Sequence, residues 1–196
     1  MPSYARVSLA GQASYTWAAG TTDVRAPLAA PGSGSRTAAC WYTPSAGASY
    51  SIDVNLTDGQ PHKVSLYALD WDSTARSERI DVLDAATGTV LDTENLAGFH
   101  DGAYLSWTLS GHVVLRVSSN NASNAVLSGL FLGGTAATPP ASGTASFLGQ
   151  DTTTQGNWTT AFGSDGYLLP DGTGRLSSYA TVAIVGQGSY TWAAGT

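Results

Sequence analysis

The chain has 196 residues, 42% of them apolar and only 11% charged, with a formal net charge of −6. Long exposed helices need lysine, glutamate and leucine, but the sequence has one lysine, Lys63, and two glutamates, Glu78 and Glu94. Its 23 glycines, with abundant serine, threonine and alanine, favour strands joined by tight turns. An acidic chain with no grouped basic residues is not built to neutralise a nucleic-acid backbone. No apolar run is long enough for a membrane span, and a single cysteine, Cys40, allows no internal disulfide.

Residues 4–21 predict two short strands around a Gly11-Gln12 turn, with Val7 and Leu9 alternating with polar neighbours and Tyr15 alternating with Trp17. A turn-rich stretch holding Pro27, Pro31, Gly32 and Gly34 follows, then a buried-strand pattern at 37–42 (TAACWY). Tyr50, Ile52, Val54 and Leu56 alternate on one face of the next strand, and Asp58-Gly59 marks a turn. Residues 62–71 (HKVSLYALDW) are apolar on both faces, with Val64, Leu66 and Ala68 on one and Tyr67, Leu69 and Trp71 on the other. Such a strand belongs in the middle of a sandwich.

Two hairpins are predicted next. One pairs 79–83 with 89–93 across Ala86-Thr87-Gly88, and the other pairs 103–109 with 112–117 across Ser110-Gly111. Residues 125–132 (AVLSGLFL) predict one further strand. Residues 134–146, rich in small residues and containing Pro139-Pro140, predict a linker. It divides a larger part, 1–133, from a second part, 147–196. Strands recurring every 8 to 12 residues or so between turn signals predict an all-β antiparallel sandwich or jelly roll.

The last eighteen residues, YATVAIVGQGSYTWAAGT at 179–196, repeat YARVSLAGQASYTWAAGT at 4–21 with a constant offset of 175, and thirteen positions are identical. The copies differ at Arg6/Thr181, Ser8/Ala183, Leu9/Ile184, Ala10/Val185 and Ala13/Gly188. A drifted duplication of this kind predicts permuted pieces of a tandem repeat with a period near 175 residues. One sandwich needs the strand pair once. The second copy therefore frays, completes the sandwich in cis, or fills the slot in another molecule. Tyr179, Val182, Ile184, Tyr190 and Trp192 are the candidate strand-donation residues, and a donated strand that closes no ring gives a head-to-tail filament.

Several motifs carry a resemblance: FGSDGY at 162–167, SYTWAAGT at 14–21 and 189–196, RTAACWY at 36–42, NLTDGQPHKVSLYALDWD at 55–72 and NAVLSGLFLGG at 124–134. Together they resemble a repeated module of large secreted bacterial proteins, similar in outline to galactose-binding or carbohydrate-binding modules. Phe162 stands where that pattern leads one to expect Tyr. The resemblance implies a non-catalytic module, extracellular or at the cell surface, and brings no binding residues with it. The low-lysine β composition points to a secreted bacterial product as well.

Among chemistry-bearing residues, Asp70 and Asp72 flank Trp71, so both carboxylates leave the same strand face. They are candidates for half of a structural calcium site, for ion pairs with Arg76 or Arg79, or for a glycoside-cleaving pair. Trp158 and Tyr167, in a polar glycine-rich stretch beside Asp165, are candidate sugar-stacking residues expected to be exposed. Trp17, Trp41, Trp107 and Trp192 are expected in the core. Cys40, in an apolar run, reads as an inert buried thiol. His62, His100 and His112 show no metal-ligand spacing, and no G-x-S-x-G elbow supports a nucleophile. The expected partners are further copies of the chain and a polysaccharide, in a structural or adhesive role, with carbohydrate binding as the alternative. Asn55, Asn121 and Asn157 head glycosylation-type triplets that chance explains in a chain this rich in Ser and Thr.

Overall fold

The computed structural model describes residues 13–133 and 144–185. In chain order its strands are β1 (Ala13–Thr21), β2 (Arg36–Tyr42), β3 (Ser49–Leu56), β4 (His62–Ala68), β5 (Ser77–Asp84), β6 (Val90–Ala97) and β7 (Ala103–Ser110). They continue with β8 (His112–Ser119), β9 (Val126–Leu127), β10 (Gly129–Leu132), β11 (Thr144–Asp151), β12 (Gly166–Leu168), β13 (Gly174–Arg175) and β14 (Ala180–Val185). One 3-10 turn, Trp158–Thr160, is the only helical element among the described residues. The fold is all-β and every strand pair is antiparallel.

A six-stranded sheet in the order β11-β7-β4-β10-β12-β13 faces a five-stranded sheet in the order β14-β3-β8-β5-β6. The core fills the space between them. Val64, Leu66 and Ala68 from β4 and Leu105, Trp107 and Leu109 from β7 meet Ile52 and Val54 from β3 and Val113, Leu115 and Val117 from β8. The alternation read in β3 is borne out, since Tyr50, Ile52, Val54 and Leu56 are all buried. Each aliphatic side chain so buried contributes about 1.5–3 kcal/mol. A smaller sheet, β1-β2-β9, adds Cys40, Trp41, Val126 and Leu127 to the same core.

The inner strands of the six-stranded sheet, β7, β4, β10 and β12, are buried on both faces. Tyr67, Leu69, Tyr104, Phe131, Tyr167 and Leu169 form a second cluster on the sheet's outer side with Trp158 and Phe162, and Trp71 packs at its margin. β4 lies between β7 and β10, the interior position that its two apolar faces require. The cover consists of two irregular segments that pair with each other. The Gly156 N–H donates to Val24 O at 2.9 Å, and the Leu28 N–H donates to Gly156 O at 3.1 Å. Beneath them the Tyr67 hydroxyl donates to Arg25 O at 2.7 Å. A Cβ on Gly102 would lie 1.9 Å from that hydroxyl, and its φ of +88° is in the left-handed region, so the position suits glycine.

Three expectations about pairing are corrected. β5 and β6 do form a hairpin, but β7 and β8 do not. β7 pairs with β4 and β11, whereas β8 pairs with β3 and β5. Gly111, at φ +70°, turns the chain from one sheet into the other. Residues 125–132 are two strands rather than one, because the chain changes sheet at Ser128, whose N–H donates to Tyr67 O at 2.6 Å. β11 begins at Thr144, so the end of the expected linker is strand, paired with Ser110 of β7.

Strands from both sides of residues 134–143 complete the same sheets. β11 closes one edge of the six-stranded sheet, β12 and β13 extend the other, and β14 lies on β3. Of the duplicated text, residues 13–21 of the first copy form β1 on β2, and residues 180–185 of the second form β14 on β3.

Candidate functional site

A cleft of about 340 Å³ opens where β1 and β2 meet the loop after β4. Tyr15 and Trp17 of β1 both line it, although the β1–β2 register shifts between Thr16 and Ala18. Their rings meet edge to face at 5.8 Å and 78°. Tyr42 and the buried Cys40 of β2 line the cleft beside them, and Asp72, Arg76 and Asn124 supply its polar side. The three aromatic residues are half-buried, with part of each left to solvent.

Arg76 organises the polar side. Its guanidinium donates to Asp70, and to Asp72 Oδ1 at 2.6 Å, while its Nε donates to Asn124 Oδ1 at 3.2 Å. Its backbone N–H also reaches Asp70 Oδ2 at 3.1 Å. The guanidinium carbon lies 6.0 Å from the Trp17 ring centroid, within cation–π range. Partial burial raises the Asp72 carboxyl, but hydrogen bonds from Arg76 and Trp17 and the Arg76 charge outweigh it and hold the group below the usual carboxylate value. The Asp72 side chain is 49% exposed, whereas that of Asp70 is 1% exposed. Asp72 therefore offers a charged oxygen at the surface, and Asp70 acts within as the anchor of Arg76. Cys40 is a buried thiol whose pKa burial pushes well up, which makes it a poor nucleophile.

Asp70 and Asp72 thus come together, as their spacing implied, around Arg76. Among the described residues no group of three or more His, Cys, Asp or Glu side chains is placed to hold a metal ion. Arg79, the other cation considered for them, bonds Asp81 at 2.7 Å, and Arg116 bonds the second oxygen of Asp81 at 2.6 Å. The histidines are scattered. His62 bonds Asp58 at 3.0 Å and His112 bonds Asp53 at 2.9 Å, while Nδ1 of His100 lies 2.8 Å from the carbonyl oxygens of Asp70 and Ser73.

The exposure expected of Trp158 and Tyr167, the candidate sugar-stacking residues beside Asp165, is corrected. Trp158 is 1% exposed and Tyr167 7% exposed. Trp158 lies 4.5 Å from the Tyr167 ring and 5.1 Å from the Phe131 ring, and its Nε1–H donates to Leu28 O at 2.9 Å. The outer face of the six-stranded sheet is apolar, so the loop above it must turn its large rings inward. Asp165 accepts from the Tyr179 hydroxyl at 2.7 Å and from Ser164 Oγ at 2.9 Å.

Tyr179, Val182 and Ile184, the donation candidates, are part of this sandwich. Val182 and Ile184 are buried on β14, and Tyr179 stacks on His62 at 3.5 Å and 12°. Tyr190 and Trp192 lie outside the described residues. The cleft itself joins residues that sequence reasoning did not group. Tyr15 and Trp17 were visible as an alternating pair, but Tyr42, Arg76 and Asn124 meet them only through the fold.

No family model, no curated protein and no solved structure matches the chain.

Proposed function

We propose that the chain is a non-catalytic β-sandwich module of an extracellular, secreted array, with a structural or adhesive role and with modules joined in series along or between chains. One observation carries this reading. The sandwich takes β1 from the first copy of the duplicated text and β14 from the second. The two pieces are complementary, because Ala180–Val185 of the second copy aligns with residues 5–10 of the first, whereas β1 covers residues 13–21. A fold that takes complementary parts of the two copies is what a unit of a tandem array would use. Size-exclusion chromatography and negative-stain electron microscopy of the concentrated protein should show polymers that a chain lacking residues 179–196 does not form. A strictly monomeric wild-type chain would count against assembly between molecules.

A second reading has its own support, namely carbohydrate binding in the cleft. Half-buried Tyr15, Trp17 and Tyr42 present ring surface beside the Asp72 carboxylate and the Arg76 guanidinium. A saccharide needs that pairing of apolar face and polar rim. A glycan array probed with the wild-type chain and with Trp17→Ala tests it, with binding lost in the variant as the expected result. A blank array for the wild type would remove this reading.

A further inference from the structure

The cleft between β1, β2 and the loop after β4 presents a charge as well as ring surface, and the two together select a ligand. Its charged residues are Asp72 and Arg76, with Asp70 behind them. Two carboxylates around one guanidinium leave a net charge of −1. Their exposures differ. The Arg76 side chain is 11% exposed, against 49% for Asp72. The guanidinium already bonds both carboxylates and, through Nε, Asn124. An incoming molecule therefore meets the Asp72 carboxylate and not a basic group. An acidic ligand would be repelled there, since the neutralising cation is turned inward.

Asp72 also holds the aromatic wall in place. The Trp17 side chain donates to it, and the indole N–H is that side chain's one donor. Trp17 is thus fixed by its edge beside a carboxylate. Its ring stands at 78° to that of Tyr15, with centroids 5.8 Å apart. Two rings at that angle make a corner rather than a flat platform. A corner suits a short saccharide with a C–H face on one ring, whereas a long polysaccharide surface needs rings in one plane. The size agrees, because about 340 Å³ lies near the lower end of the roughly 300–1,000 Å³ of small-molecule sites.

A positive charge gains from both parts of this cleft. The faces of Trp and Tyr rings attract a cation, and a carboxylate accepts from it a charge-assisted hydrogen bond, about twice as strong as a neutral one. We propose that the saccharide taken by the cleft carries a protonated primary amine, as an amino sugar without an acetyl group does, with Asp72 accepting from the ammonium and Tyr15, Trp17 and Tyr42 forming the apolar wall. This rests on the carbohydrate reading of the cleft and names the substrate class.

Calorimetric titration of the full chain at about pH 6, where a primary amine is protonated, tests it. The probes are di-glucosamine, its N-acetylated form and cellobiose, all of the same linkage, and the diamine cadaverine. Di-glucosamine should bind about 10-fold or more tighter than either neutral disaccharide. In Asp72→Asn that preference should shrink to about 3-fold or less, the remainder coming from the rings. Asp53→Asn removes a carboxylate outside the cleft, one bonded to His112, and should keep the preference. Trp17→Ala should lose all three sugars. Equal affinity for the three disaccharides overturns the proposal and leaves the carbohydrate reading standing. The proposal also falls if Asp53→Asn loses the preference as fully as Asp72→Asn, because the attraction would then belong to the acidic chain as a whole. Cadaverine binding as tightly as di-glucosamine overturns it as well, since the site would then read a cation without a sugar. If Asp72→Asn disturbs Trp17 itself, the neutral sugars weaken too, and the four probes on the wild-type chain still decide. No binding of any disaccharide removes the carbohydrate reading and the proposal together.

Discussion

Glu78 shows how one residue sets a property of the whole chain. It is fully buried in β5, with Oε2 accepting from the Val126 N–H at 2.8 Å. Burial pushes its pKa up to about 8, against the weaker opposing effects of the Val126 hydrogen bond and the Arg76 charge. The group is therefore neutral in the native state at pH 7. Its ordinary value is 4.5, so the native form holds the proton more tightly than the unfolded chain does. Stability contributed in this way is complete below pH 4.5 and is lost progressively up to about pH 8. Melting temperature should fall across that window, and Glu78→Gln, which cannot ionise, should flatten the fall and melt higher than wild type at pH 8. Equal slopes for the two proteins would show that Glu78 is not the group responsible. Nothing in the local sequence marks this glutamate, because its burial comes from β9, almost fifty positions away. Asp70, equally buried, differs in having the Arg76 guanidinium against it. That pairing was legible, since only a short turn separates the two residues.

At the scale of elements, the cover on the six-stranded sheet depends on a close backbone approach. A Cβ on Gly156 would fall 1.9 Å from Ala26 O, between the two hydrogen bonds that join the covering segments. Gly156→Ala should cost on the order of 1–3 kcal/mol through forced backbone displacement. In a domain of this size that lowers Tm by about 2–4 °C per kcal/mol. Gly34→Ala, at a position where a Cβ meets nothing within 4 Å, is the matched control and should melt close to wild type. Strands whose burial follows their own alternation were readable, β3 and β4 above all. Corners were not. Gly111 would serve a hairpin as well as a crossover, and the choice is made by partners far along the chain, Val64 for Trp107 and Val54 for Val113. Trp158 was misread for a related reason. Its neighbours are polar and glycine-rich, and the apolar surface that buries it belongs to other strands.

At the scale of the whole molecule, the described sandwich is built from text on both sides of residues 134–143. β11 on β7, β12 on β10 and β14 on β3 all cross that divide. The all-β sandwich was legible from composition and strand spacing. The cleft was not, because Trp17, Arg76 and Asn124 are distant in sequence and only the closed fold brings them together. Residues 1–133 and 144–196, produced separately, should each lack a cooperative thermal transition, and mixing them should restore one. A cooperative melt of 1–133 alone would mean that the larger part closes its own core.

The change of sheet at Ser128 has a mechanical side. Val126 and Leu127 are hydrogen-bonded into one sheet and Gly129–Leu132 into another, with a single residue between them. Such a stitch couples the two layers directly. The small sheet therefore cannot part from the six-stranded one, with the chain held at Ser128, unless β9 leaves β2 or β10 leaves β4.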